Sequence, residues 1–279
     1  MDIKKLIEHY NAAFEKANME PRYILDDSLS CTQVVHLIGL TLTMEFPQSV
    51  VKPLMHDLMH EVDPNILADL GIWVNPEVVS VSSSIDPWLV LLDDQPRTVI
   101  QYEDIFPSVN YRGGSHATID VRKAHVDCFD QAKVVAVDSF VNAYDVQSVT
   151  ASGYTCLDAI RCASVLASED VRLFLNNSYG EVTGRCRVTV EPGGRLWTNQ
   201  VGGEITVLPD GMALLESDKV VPQGDGLIIK ADGFSAEQLA SLKDRMRVTK
   251  SVQEVSDWLA KGQLAERRES PKRSRSLHR

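Results

Sequence analysis

The residues best suited to chemistry are His56 and His60, in the run His56-Asp-Leu-Met-His60-Glu61. Two histidines four apart share one helix face, a spacing that suits zinc. A zinc-protease helix places glutamate directly after the first histidine as the general base. Here that position is Asp57, whose shorter side chain reaches less far, and no third ligand is identifiable. The plain reading is a helix surface that carries two histidines, and a metal-dependent enzyme using His56 and His60 is an alternative. The five cysteines (Cys31, Cys128, Cys156, Cys162 and Cys186) are odd in number and form no CxxC pair. They read as reduced, mostly buried thiols of a cytosolic protein. The Gly-Gly pairs at 113–114, 193–194 and 202–203 lack a Walker or dinucleotide-binding context and read as turns. No cofactor is implied.

Charge narrows the partners. The net charge is −11, and the first 114 residues carry 17 acidic and 7 basic side chains. The stretch from Arg267 reverses this with six basic residues and one acidic. An acidic body disfavours nonspecific nucleic-acid binding by the folded part. A polyanion contact is therefore expected only at the tail, through Lys272, Arg273 and Arg275, and there it would depend strongly on salt. No apolar run is long enough to cross a bilayer, so no membrane partner is expected. The opening MDIKKLIEHYNAAFEKA has no apolar core and reads as an amphipathic helix, not a secretion signal.

The elements that must position these residues follow from periodicity. Ile3, Leu6, Ile7, Tyr10 and Phe14 recur at helical spacing behind Asp2 as a cap, and Ser30 caps an apolar helix over 30–45. Two shorter helices are expected at 49–60 and 64–71, with Pro47, Pro53 and Pro64 near their first turns. The period then changes. VVSVSSS at 78–84, WLVLL at 88–92 and TVIQY at 98–102 alternate as strands do, and YRGGS at 111–115 reads as a hinge.

From Ala117 to Val190 inward-pointing triads recur every seven or eight residues. They include Ala124/Val126/Cys128, Ala132/Val134/Ala136, Ser139/Val141/Ala143, Gln147/Val149/Ala151, Thr155/Leu157/Ala159 and Ala163/Val165/Ala167, then Val171/Leu173/Leu175, a degraded Tyr179/Glu181/Thr183 and Cys186/Val188/Val190. Asp-Ser, Asp-Val-Gln, Ser-Gly-Tyr and Asn-Asn-Ser separate them, which is turn chemistry. One such unit cannot bury its apolar face alone, so the units must stack into a β-solenoid. Two units per coil would give a flat coil and three a triangular one, and the triads fit either.

The expected fold is α+β: an α-rich N-terminal domain (1–110) with short strands, a β-solenoid (115–230) and C-terminal helices (234–262) as a cap, followed by a disordered basic tail (265–279). Residues 191–230 are expected as irregular coils or a capping hairpin. Ser235 and Gln238 form a capping box for the first C-terminal helix.

HATIDV, KAHVDC, QAKVVAV, DSFVNAYD and QSVTASG resemble the tandem A-T-V-x-A-Y-D-S octad repeats of uncharacterised proteins from bacteriophages, prophages and mobile elements of gut bacteria. The likeness covers about a quarter of the chain. It implies a solenoid and a phage or mobile-element setting, in host cytoplasm or virion, and carries no catalytic residue. His116 and His125 fall in early coils, but surface-histidine acyl transfer belongs to solenoids of six-residue repeat. The outward positions are too mixed for an ice-binding threonine ladder, and no aspartate ladder supports DNA mimicry. The expected function is a non-enzymatic scaffold or protein-binding component, with a protein partner or self-association through outward Phe140, Tyr144, Leu166 and Phe174. A phage-encoded inhibitor of a host defence protein is the alternative of the same kind.

Overall fold

The structure is a computed structural model and describes residues 2–81, 87–93, 98–102, 108–113 and 117–268. Four helices open the chain: α1 (Ile3–Lys16), α2 (Cys31–Leu42), α3 (Gln48–Glu61) and α4 (Pro64–Asp69). Asp2 caps α1, and Ser30 with Gln33 closes a capping box on α2. Strands β1 (Ile72–Val74), β2 (Val78–Val81), β3 (Leu89–Leu92), β4 (Thr98–Tyr102), β5 (Ser108–Gly113), β6 (Thr118–Arg122), β7 (His125–Asp130), β8 (Lys133–Val137), β9 (Phe140–Tyr144) and β10 (Ser148–Ser152) follow. The winding continues through β11 (Cys156–Ile160), β12 (Val165–Ala167), β13 (Arg172–Asn176), β14 (Tyr179–Val182), β15 (Arg187–Val190), β16 (Arg195–Thr198), β17 (Glu204–Val207), β18 (Met212–Leu215) and β19 (Leu227–Lys230). Helices α5 (Ala236–Val248) and α6 (Val252–Arg268) end the described chain. Among the described residues no helix is long and apolar enough to cross a membrane.

Odd-numbered strands β1–β17 form one nine-stranded parallel sheet, and the even-numbered strands with β19 form a ten-stranded one. We call these the first and second sheets. Each coil is therefore two strands, one in each sheet, so the flat coil is the one adopted. From β5 onward hydrogen-bonded partners lie 15 to 17 residues apart, as in Val141 with Leu157 and Val188 with Ile205. Alternation sends Val126, Val141, Leu157 and Leu173 from one sheet and Val134, Val149, Val165 and Leu196 from the other into a single shared interior. Each such side chain, fully buried, contributes about 1.5–3 kcal/mol.

The corners explain the octad. Many strands end on, or within two residues of, a residue with positive φ: Asp130, Asp138, Asp145, Gly153, Arg161, Glu169 and Asn177. Asp and Asn tolerate this conformation best after Gly. At Gly153 a Cβ would fall 2.2 Å from Asp138 Oδ1 on the neighbouring coil. That carboxylate accepts the Tyr154 amide at 2.9 Å, and Glu169 accepts the Gly153 amide at 2.7 Å. Small polar residues just past the corners are buried and satisfied: the Ser139 hydroxyl donates to Val137 O at 2.7 Å, and that of Ser178 to Asn176 O at 2.9 Å.

The corners also correct three triads. One residue separates the positive-φ residue from the inward one at Gly153-Tyr154-Thr155, but none does at Asp145-Val146, Arg161-Cys162 and Asn177-Ser178. A constant spacing therefore slips by one. Val146 and Cys162 point inward in place of exposed Gln147 and Ala163. Ser178, Gly180 and Val182 line the interior in place of Tyr179, Glu181 and Thr183, since a one-residue slip exchanges the faces. A Cβ at Gly180 would meet Leu175 Cδ1 at 2.7 Å, so any larger residue there would have to displace the Leu175 side chain.

Two boundaries differ from expectation. Strands β1–β5 belong to the same two sheets as the repeats, so the solenoid begins at Ile72; of the expected hinge YRGGS, residues 111–113 finish β5 and the rest lies outside the described residues. Residues 191–230 continue as further coils, the last of them irregular: between β18 and β19 the first sheet is met by an isolated bridge from Gln223 to Thr206, and Val220 turns into the interior at that end. The C-terminal helices follow the last coil, as expected. They lie on the outer face of the second sheet, where Tyr179, Met212, Leu214 and Ile229 pack with Leu242, Met246 and Val255. Residues 265–268, expected in the tail, complete α6.

The N-terminal helices cover the opposite face at the opposite end. Ile72, Leu89 and Leu91 on the outside of the first sheet pack with the core of α1–α4. Gly39 lets α2 approach closely, since a Cβ there would meet Ile72 Cδ1 and Trp88 at 2.9 Å. Both helical layers are pinned by a buried outward arginine that donates to carbonyls at a helix C-terminus. Arg112 on β5 donates to Leu42 O at 2.5 Å and to Met44 O, beyond α2. Arg195 on β16 donates to the carbonyl of Thr249, the C-cap of α5, at 2.7 Å.

Candidate binding face on the first sheet

With helices on the first coils of one sheet and the last coils of the other, the middle of the first sheet keeps its outward residues partly open. On β9, β11 and β13 they form three adjoining rows: Phe140, Asn142 and Tyr144; Cys156, Asp158 and Ile160; Arg172, Phe174 and Asn176. Neighbouring rows are about 4.8 Å apart. Phe140 is 49% exposed, and Tyr144 and Phe174 are partly exposed. Three of the four residues expected from sequence thus meet on one face. Leu166, 45% exposed, sits on β12 of the second sheet and faces the other way.

The face is stiffened from the helical side. The Arg112 guanidinium lies 4.2 Å over the Phe129 ring, and Phe129 stacks on Tyr144 at 4.8 Å and 12°. Arg112 pairs with buried Asp130 at 2.9 Å, which also takes a hydrogen bond from Gln48. Arg161 joins Asp145 at 2.9 Å and Glu45 at 2.6 Å, tying the α2–α3 connection to the solenoid corner. Between these groups runs a polar groove of about 410 Å³, lined by Glu45, Pro47, Asp130, Gln131, Asp145 and Arg161 among others.

The electrostatics are acidic at the centre. Asn142 donates to Asp127 at 2.7 Å and Asn176 to Glu191 at 2.9 Å. Burial holds the Asp158 carboxyl above its ordinary range, and the like charge of Glu191 adds to this. Burial, then Asp127, Asp158 and Glu45, pushes the Tyr144 hydroxyl up as well. Arg172 lies 5.0 Å over the Phe174 ring, a cation–π contact.

The other expected residues stand apart. His56 and His60 are together on α3, with ring centroids 4.6 Å apart, beside a groove of about 240 Å³. Asp57 is turned to His9 at 3.0 Å and Glu61 to Lys5 at 3.1 Å. Among the described residues no group of three His, Cys, Asp or Glu side chains is placed to hold a metal ion. His125 packs edge-on to Phe140 at 6.2 Å. His116, Lys272, Arg273 and Arg275 lie outside the described residues.

The sequence places Asp158 among the outward positions, but does not join it or Arg172 to this face. The signal was available: Asp127, Asn142, Asp158 and Phe174 are 15, 16 and 16 residues apart, one column of a two-strand coil. No family model, curated protein or solved structure matches the chain.

Proposed function

We propose that the protein is a non-enzymatic scaffold whose solenoid binds a protein partner or a second copy of itself through the open middle of the first sheet. The observation that supports this is the three-row face around Phe140, Tyr144 and Phe174, left open between two helical layers that cover apolar outer residues at the two ends. Exposed aromatic side chains on a rigid support suit protein recognition, because little side-chain entropy is lost on contact. A structural or accessory role in a phage or mobile element rests on the octad resemblance alone, as does a setting in host cytoplasm or virion.

The test is light scattering together with affinity capture from phage-infected and uninfected host lysate. The reading expects a homo-oligomer or a captured partner that is lost on Phe140→Asp or Phe174→Asp and retained on Leu166→Asp on the other sheet. Capture indifferent to all three variants would sink it. A single stoichiometric host protein in place of virion proteins would favour the inhibitor role over the structural one.

A further inference from the structure

Within the open face one group has no counterpart. The Asp158 carboxylate, at the centre of the three rows, makes no hydrogen bond or ion pair among the described residues; Glu191, another carboxylate, acts on it, it acts on Tyr144 and Cys156, and Arg172 stands diagonal to it across the sheet. Asn142 and Phe174 stand directly beside it across the sheet, and Phe140 and Tyr144 occupy the diagonals. A carboxylate framed by aromatic rings complements a cation, which gains from the negative ring faces and from the charge together. The ring of Phe174 already carries one guanidinium, that of Arg172. Asp127 and Glu191 flank Asp158 along the same sheet, and this local negative charge favours a basic partner.

Resting on the proposed protein-binding reading, we infer that Asp158, framed by Phe140, Tyr144 and Phe174, receives the lysine ammonium or arginine guanidinium of a basic segment of the partner protein. The parallel rows give that segment a flat track along the sheet, and Asp158 fixes its register by taking one cation. In the free protein the half-buried charge is a liability, as expected of a group kept for a ligand.

The probe is a fluorescein-labelled peptide, Ser-Lys-Gly-Arg-Ser-Lys-Gly-Arg, titrated by anisotropy into the full-length protein at low and physiological salt. An identical peptide with glutamine at every Lys and Arg is the control. The expected result is binding of the basic peptide alone, weakened about tenfold by Asp158→Asn, several-fold by Phe174→Leu, and not at all by Glu15→Gln on exposed α1. Equal loss in Glu15→Gln, or no binding to the unaltered protein, overturns the inference. Asp158→Asn removes only a charge from the sheet surface, and an unchanged circular dichroism spectrum shows that it folds. If the peptide fails while partner capture still depends on Phe140 and Phe174, the inference falls and the protein-binding reading stands. If capture is also indifferent to those residues, both fall.

Discussion

Replacing Arg112 by methionine tests how the N-terminal helices are held to the solenoid. Arg112 is 2% exposed, donates to Leu42 O and Met44 O, and pairs with Asp130 at 2.9 Å. Methionine fills much of the same volume but leaves the buried Asp130 carboxylate with Gln48 alone. Removing one partner of a buried ion pair costs about 3–5 kcal/mol. Arg195→Met is the internal comparison. Arg195 is equally buried but faces a carbonyl and no carboxylate, and burial already holds its pKa below the ordinary value. Its loss leaves no orphaned charge and should cost about 1.5–3 kcal/mol, the scale of one charge-assisted hydrogen bond. Asp130→Asn in the Arg112→Met background removes the orphaned charge and should restore about half of the deficit. The pH dependence has a definite sign. Burial raises Asp130 above 3.8, against the pull of Arg112, so ionising it disfavours the folded state, and stability falls as pH rises from about 3.8 through its raised pKa. Loss of Arg112 raises that pKa further, so the deficit of Arg112→Met should be largest at neutral pH and shrink as pH is lowered toward 4. Urea unfolding across that range, with hydrogen exchange over α2, reads all of this. Equal deficits for the two methionine variants, with no recovery on Asp130→Asn, would refute the reasoning.

Gly153→Ala should lower stability by about 1–3 kcal/mol in chemical denaturation, from left-handed strain and displacement of the Asp138 carboxylate that caps Tyr154; an unchanged midpoint would count against the corner account. Burial pushes the thiols of Cys162 and Cys186 up to about 12 and about 11, and that of Cys128 higher still, so these three should resist a thiol reagent at pH 8 until the protein unfolds. The same shifts favour the protonated folded state, so stability should fall as pH rises past about 9, the unfolded thiol value. Because His56 and His60 supply only half of a tetrahedral set among the described residues, a chelator should leave the melting temperature unchanged; a fall of several degrees would reopen the metal alternative.

The solenoid was legible because its determinant is local: alternation within five residues and a turn after each unit. What periodicity could not supply was the corner length. One or no residue follows the positive-φ position, and this alone moved Val146, Cys162 and Gly180 inward against a constant count. The early coils read from sequence as part of the helical domain because their partners are 21 residues apart at Leu89–Asn110 and Val78–Val99, outside the octad rhythm. The buried Tyr179 was read as an inward residue because apolar character marks burial and not direction; it faces out, under α5 and α6. Phe140, Tyr144 and Phe174 were found as outward aromatics, whereas their common sheet, and the separation of Leu166 from it, follows from two strands per coil. Arg112, Asp130 and Asp158 gave no sequence signal of burial, since each depends on contacts made across the fold.

The most direct test of the central claim is partner capture or self-association measured side by side for the unaltered chain, Phe140→Asp, Phe174→Asp and Leu166→Asp. The account predicts one specific association that disappears with either substitution on the first sheet and survives Leu166→Asp. Loss with Leu166→Asp alone, or an association unaffected by Phe140→Asp and Phe174→Asp, would contradict it.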